Sequence, residues 1–264
     1  MVHGGVFITG AASGIGRAWA LRLSKKGYGI TVVDLDLEGA EKTAEMIKSM
    51  GGEAQAIKCD LTSYVDQKHA FENHIKAYNT LDYVILNAGV PEQGDFLDPQ
   101  NKNWDLPLNV LLEATLIGVR QAGLIMHATG TKGTICVTAS DLSVKENAWF
   151  APCYAAAKAG LLHFVWTMAE KFEKEHHIRL CALCPARADT PLVQSGYFHE
   201  TNDMCDTGTD PALTANEVAE AGMILLEQPD KAGKAMLIES SGSIYALQFQ
   251  TANRTPIGSV KGKA

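Results

Sequence analysis

The sequence predicts an α/β fold: one doubly wound, seven-stranded parallel sheet with helices on both faces, spanning residues 1–264 as a single domain. Three observations carry the prediction. Strand-sized apolar runs alternate strictly with helix-period segments, the pattern of right-handed crossovers between parallel neighbours. A glycine-rich turn, Thr9-Gly10-Ala11-Ala12-Ser13-Gly14-Ile15-Gly16, follows the first apolar run. Glycines so spaced permit a tight turn, a close approach of backbone to a pyrophosphate, and close packing of the next helix, whose positive N-terminal end then faces the anion. About twenty residues on, a second apolar run ends in Asp34, where a carboxylate can accept hydrogen bonds from both hydroxyls of an adenosine ribose.

Taken in order, Val6-Phe7-Ile8 is the first strand, and the first helix runs from Ile15 to Lys26, ended by Gly27. Ile30 to Asp34 is the second strand. Helical periodicity from Glu38 to Met50 stops at Gly51-Gly52, and Ala54 to Lys58 is a third strand ending in Cys59-Asp60. Ser63 with Asp66 opens a helix to about Tyr78 in capping-box fashion, before a buried strand from Tyr83 to Leu86 that ends at Asn87-Ala88-Gly89. A helix follows around Trp104 to His127, then a strand from Thr134 to Val137 and a long helix from Tyr154 to Glu175. Arg179 to Leu183 is the sixth strand, the pair Thr214/Glu217 opens the last helix, and the seventh strand lies near Met236 to Ile238. The long irregular segment at about 186–213 lies beyond the carboxyl end of the sixth strand, where such sheets bind ligands, and is expected to be a substrate loop. A tail begins at about residue 240.

Composition narrows the function classes. A chain of 264 residues buries roughly three quarters of its unfolded surface. The net charge is −7, and lysine and arginine are scattered, which argues against nucleic acid and against a membrane surface as partners. The longest apolar stretches read as strand-sized and the first strand starts after five residues, so the expected location is cytoplasmic. The cysteines at 59, 136, 153, 181, 184 and 205 follow no disulfide framework and are expected to be free. Cys181 and Cys184 have metal-like spacing but belong to opposite faces of a strand, and His176-His177 suits a helix C-terminal cap, so no metal is expected.

Tyr154 and Lys158 stand four residues apart on one helix face, and Ser140 lies fourteen residues before the tyrosine at the end of the fifth strand. A phenol of pKa about 10 acts as a base near neutrality only if positive charge stabilises its anion, which Lys158 and an oxidised nicotinamide would provide. With Ser140 holding the substrate oxygen, the trio suits removal of a proton from an alcohol whose carbon gives up a hydride.

With these residues the chain resembles the short-chain dehydrogenase/reductase family over nearly its whole length. The likeness rests on Thr9 to Gly16, Asp34, Asp60, Asn87-Ala88-Gly89, Ser140, Tyr154-x-x-x-Lys158 and Pro185 to Thr190, in family order. The resemblance implies a Rossmann-type fold, NAD as cofactor, and interconversion of a small apolar secondary alcohol and its ketone; the two long apolar helices predict a homodimer or homotetramer. It further implies that Gly10, Ser13, Gly14, Ile15, Gly16 and Asp34 bind the cofactor, with Asp60 and Leu61 beside the adenine and Asn87, Ala88 and Gly89 lining the cleft. Pro185, Ala186, Ala188 and Thr190 would hold the nicotinamide amide and phosphates. Tyr154 would be the acid/base, Lys158 would bind the ribose and lower the phenol pKa, and Ser140 would orient the carbinol.

Asp34, with no basic residue at Ala11, Ala12 or Leu35, predicts NAD over NADP. Arg187 is expected to face the substrate cleft and to favour an acidic or strongly polar group there. The apolar residues of the two long helices, among them Leu111, Leu112, Leu116, Ile117, Leu161, Leu162, Phe164, Val165 and Trp166, predict a subunit interface. Two positions depart from the family pattern. Leu111 stands where the family has an asparagine understood to hold a water linking the lysine to solvent, and Asn109 lies about 200° away around a helix. Ala186 replaces the glycine of the family's Pro-Gly after the sixth strand. Leu111 keeps open a second reading, an NAD-binding protein without dehydrogenase turnover, regulatory or turned to cyclisation or isomerisation.

Overall fold

A computed structural model describes residues 2–194, 212–228 and 234–249. Its centre is a sheet of β1 (Gly5–Thr9), β2 (Gly29–Asp34), β3 (Ala54–Lys58), β4 (Tyr83–Leu86), β5 (Thr134–Thr138), β6 (Arg179–Pro185), β7 (Ala235–Ile238) and β8 (Ile244–Leu247). The order across the sheet is β8-β7-β6-β5-β4-β1-β2-β3. The seven expected strands are all parallel, paired in register as Phe7 with Thr31 and Val84, and Cys136 with Cys181. An eighth strand lies within the tail that begins at about residue 240. Gly242, at φ +82°, donates to the Glu239 carbonyl and turns the chain back, so that β8 pairs antiparallel with β7 at the sheet edge. Its residues are largely solvent-facing and carry no apolar alternation by which to read a strand.

The helices are α1 (Gly14–Lys25), α2 (Leu37–Ser49), α3 (Tyr64–Tyr78), α4 (Ala114–Thr129), α5 (Pro152–His176) and α6 (Ala215–Glu227). Ser63 caps α3 through the Asp66 amide, and Thr214 and Glu217 form a reciprocal box at α6, as their spacing predicts. His177, at φ +55°, ends α5 as a left-handed cap. The helix expected from Trp104 starts later. Pro107 has no amide proton and precedes a π-helical stretch, Leu108–Glu113, which leads into α4. Together Leu108–Thr129 form a 22-residue apolar helix, longer than the strand-sized runs the sequence suggested. By length and composition it could cross a membrane, but here it packs as a flank of the sheet against α3 and α5.

Two apolar layers cover the sheet. Trp19, Leu23, Val32, Ile47 and Val218 meet on the face covered by α1, α2 and α6. On the other, Phe7, Phe71, Leu81, Val119, Met126 and Leu161 pack under α3, α4 and α5, with Phe7 stacked on Phe71 at 4.0 Å between ring centroids. Cys181 and Cys184 fall into opposite layers, and the five cysteines at 59, 136, 153, 181 and 184 are buried and free. Cys205, residues 195–211 of the expected substrate loop, and the tail from residue 250 lie outside the described residues. Of the loop, Ala188–Asp189 pairs with Leu213–Thr214 as a second small sheet, and Pro191–Gln194 is a single helical turn.

One buried histidine links this packing to acid stability. His74 donates from Nε2 to the Thr80 carbonyl (2.9 Å), and its Nδ1 therefore accepts from the Thr31 hydroxyl (2.7 Å). Burial drives its pKa down to about 4, against weaker opposition from the Thr80 bond and Asp82. The folded state thus favours the neutral ring, and its stabilisation is complete above pH 6.5 and is lost as pH falls from 6.5 to 4. A shift of that size corresponds to about 3 kcal/mol. His74→Gln is expected to flatten the pH dependence of the urea midpoint across this window, and an unchanged slope would refute the assignment.

Candidate active site

The carboxyl ends of the parallel strands open into a cavity of ≈ 1040 Å³ at the crevice between β1 and β4, where the strand order reverses. Gly10, Ser13, Gly14, Ile15, Asp34, Asp60, Leu61, Asn87, Ala88, Gly89, Ser140, Tyr154, Lys158, Pro185, Ala186, Arg187, Ala188 and Thr190 all line it. Gly16 does not. A Cβ there would lie 2.1 Å from the Gly10 carbonyl oxygen, so only a glycine lets α1 pack on the turn here.

The turn is built by backbone sterics. Gly10 and Gly14 have φ of +65° and +51°, and a Cβ on Gly10 would stand 2.6 Å from Ala88 Cα. Ser13 begins α1 without capping it through its hydroxyl, and the first turn carries no acidic residue. Those amides and the small residues at 88 and 89 form a cradle open to a diphosphate. Arg17 is occupied within the turn, reaching the Ala12 carbonyl and the Thr43 hydroxyl. Asp34 accepts from the Ala12 amide (2.9 Å) and the Asp36 amide (3.1 Å), which fixes its carboxylate at the end of β2. Asp60 braces its own turn by accepting from Thr62. Asn87 ties three strand ends together, accepting from Thr138 Oγ1 (3.2 Å) and donating towards the Thr9 and Gly10 carbonyls. Ala186 is not among the described residues with a left-handed backbone, and its methyl belongs to the core layer, so the place does not require glycine.

Ser140, Tyr154 and Lys158 come together on one wall. Lys158, buried, donates to the Thr138 carbonyl at 2.5 Å and lies 5.6 Å from the Tyr154 ring centroid. Burial lowers its pKa to about 8, partly offset by the Cys184 thiol. Tyr154 is half-buried, opening on the cavity, and the surrounding walls push its phenol up to about 12; a hydrogen bond with Ser140 works against this, and the Asp141 charge adds to it. The phenol is therefore a neutral acid in the site as it stands. Added positive charge beside it would be needed to make it a base.

Several site residues escape sequence reasoning. Val90, Pro91, Leu142, Val144, Phe150, Leu192 and Val193 give the catalytic end an apolar lining. Glu92 is 1% exposed, and its Oε2 accepts from the Tyr154 amide at 2.8 Å, capping the helix that carries Tyr154 and Lys158. Burial raises its carboxyl, with the Tyr154 and Cys153 bonds opposing. No local signal marks it, because its partner lies 62 residues away. Asp141 lines the cavity next to Ser140, and its four-residue spacing to Lys145 is the kind of local signal by which it could be found. Leu111 is fully buried beside Gly89, where a Cβ would meet it at 3.2 Å, and neither it nor Asn109 lines the cavity. Arg187 is exposed at the rim.

A family model described as short chain dehydrogenase matches residues 5–200. Bovine 15-hydroxyprostaglandin dehydrogenase [NAD(+)] is 29% identical over 263 residues, covering 92% of this chain and 94% of the relative. A 2,5-dichloro-2,5-cyclohexadiene-1,4-diol dehydrogenase from Sphingobium indicum is 28% identical, covering 92% and 97%. The fold is shared with a short chain dehydrogenase/reductase from Burkholderia phymatum solved with NAD, at TM-score 0.79 and 19% identity over 90% of this chain and 89% of that one.

Proposed function

The chain belongs to the short-chain dehydrogenase family, a nicotinamide-dependent oxidoreductase by that membership, and from this premise we propose that it uses NAD to interconvert a hydrophobic secondary alcohol and its ketone. One observation carries the reading: Ser140, Tyr154 and Lys158 meet at the apolar end of a cavity whose other end holds Asp34 and the glycine turn. When bound, the cofactor would accept or return the hydride and bring its positive charge beside the phenol. Tyr154 takes the alcohol proton, Lys158 favours the phenolate by its charge, and Ser140 positions the oxygen. The bovine relative is named for its use of NAD(+), which supports the cofactor, as does Asp34. The test is NADH fluorescence on incubating the protein and NAD+ with a panel of apolar secondary alcohols. No signal with any of them, and none consumed with the matching ketones, would sink the reading.

Leu111 favours the second reading, cofactor binding without turnover, because it stands buried where the family has an asparagine, and the nearby Asn109 does not line the cavity in its place. If slow proton return limits an otherwise competent site, the wild type should be sensitive to solvent deuterium, and Leu111→Asn should raise turnover by up to about a hundred-fold and diminish that sensitivity. A variant that still binds NAD without turning over any alcohol or ketone would leave the second reading standing.

We further propose a homo-oligomer built on α4 and α5. Leu111, Leu161, Leu162 and Val165 are taken up by the core, but Leu116, Phe164, Met168 and Phe172 border an outer groove of ≈ 410 Å³ beside the half-exposed Leu124. A second copy presenting the same face would cover it. Light scattering is expected to give at least a dimer at micromolar concentration, and a monomer would remove the proposal.

A further inference from the structure

Oxidation of a simple secondary alcohol leaves one buried charge in the cavity wall unused. Asp141 is 8% exposed and immediately follows Ser140. Its Oδ2 is paired with Lys145 Nζ at 2.6 Å, and its Oδ1 accepts the Ser140 hydroxyl at 3.0 Å. Ser140 Oγ also accepts from the Leu142 amide at 3.2 Å. A serine hydroxyl has one proton, and here Asp141 Oδ1 and the Tyr154 phenol oxygen both draw on it, so none is free for a reacting oxygen. The Asp141 charge also opposes ionisation of Tyr154. For a substrate with a single hydroxyl, both effects are unfavourable.

A second hydroxyl on the neighbouring carbon reverses the first of them. Donating to Asp141 Oδ1, it satisfies the carboxylate and releases the Ser140 proton towards the carbinol oxygen. The distance between Oδ1 and Ser140 Oγ is comparable to that between the two oxygens of a gauche 1,2-diol. Val90, Leu142, Val144, Phe150 and Leu192 add apolar surface to the same cavity, which Lys145 also lines. Resting on the dehydrogenase reading, we propose that Asp141 is a specificity-determining residue that selects vicinal diols on an apolar skeleton, by accepting the hydroxyl that does not react. The reacting carbon would lose its hydrogen as hydride to NAD+ and its hydroxyl proton to Tyr154. The second hydroxyl is unchanged, and the product is an α-hydroxyketone.

The experiment compares 1-phenyl-1,2-ethanediol with 1-phenylethanol in wild type, Asp141→Ala and Asp141→Asn, the last keeping the side-chain shape should the alanine variant misfold. The wild type is expected to favour the diol in kcat/KM by at least about tenfold, the scale of a hydrogen bond to a charged group. In Asp141→Ala the ratio should fall towards one, with Asp141→Asn between. Equal kcat/KM values in the wild type, or a preference that survives in the variants, would overturn the proposal. Absence of turnover with both alcohols would count against the dehydrogenase reading alone. Calorimetric titration of both alcohols into the NAD+-saturated protein then decides for Asp141: tighter diol binding lost in the variants supports it, and equal binding refutes it.

Discussion

Replacing Tyr154 with phenylalanine is expected to lower kcat for alcohol oxidation by about a hundred- to ten-thousand-fold, the usual worth of positioned acid/base assistance, while NAD+ affinity changes little. The ring stays, so the packing at the start of α5 and the Glu92 bond to the backbone amide of residue 154 are kept. What goes is the hydroxyl that Ser140 and Lys158 surround. In the wild type that phenol is held near 12 by burial, and the lowered Lys158 pKa of about 8 shows the same dry surroundings acting on a base. Each desolvated group therefore makes the other's charge more valuable, since a cation and a phenolate in low dielectric attract more strongly than in water. Initial rates by NADH absorbance, with a fluorescence titration of the cofactor, check both halves of the expectation. An undiminished kcat would assign the proton to another group, and a parallel loss of NAD+ binding would make the tyrosine structural.

Asp34→Asn should move the ratio of NADP to NAD affinity by about a hundred-fold towards NADP. A carboxylate about 5 Å from the 2′-phosphate costs on the order of 3 kcal/mol per charge pair at an effective dielectric near 20, and the amide removes that charge. Its oxygen can still accept from the Ala12 amide, so the glycine turn keeps its shape. Leu35 beyond it is exposed and apolar and offers the phosphate nothing, so the variant gains by losing a repulsion. Titration of both cofactors by protein fluorescence measures the ratio. A wild type that binds the two alike would remove the basis of the argument.

The residues legible from sequence are those whose role is decided within a few positions of the chain. Gly10 and Gly14 are needed for left-handed backbone, Ser63 and Thr214 for amides three residues on, and the apolar runs of β1 to β7 for burial on both faces. Parallel topology then brings the carboxyl ends of β1 to β7 to one edge, which is why the sequence alone gathers Asp34, Asn87, Ser140 and Pro185 around one cleft. Tertiary structure alone decided what depends on contacts across irregular loops. Glu92 accepts from the Tyr154 amide, Asp141 accepts from the Ser140 hydroxyl, Gly16 packs on the Gly10 carbonyl, Leu111 turns into the core against Gly89, and β8 joins the edge without an apolar stripe. No periodic signal encodes such pairings, because a hydrogen bond or a close approach between distant residues is set by the three-dimensional course of the backbone, and the same side chains in another loop geometry would be ordinary surface.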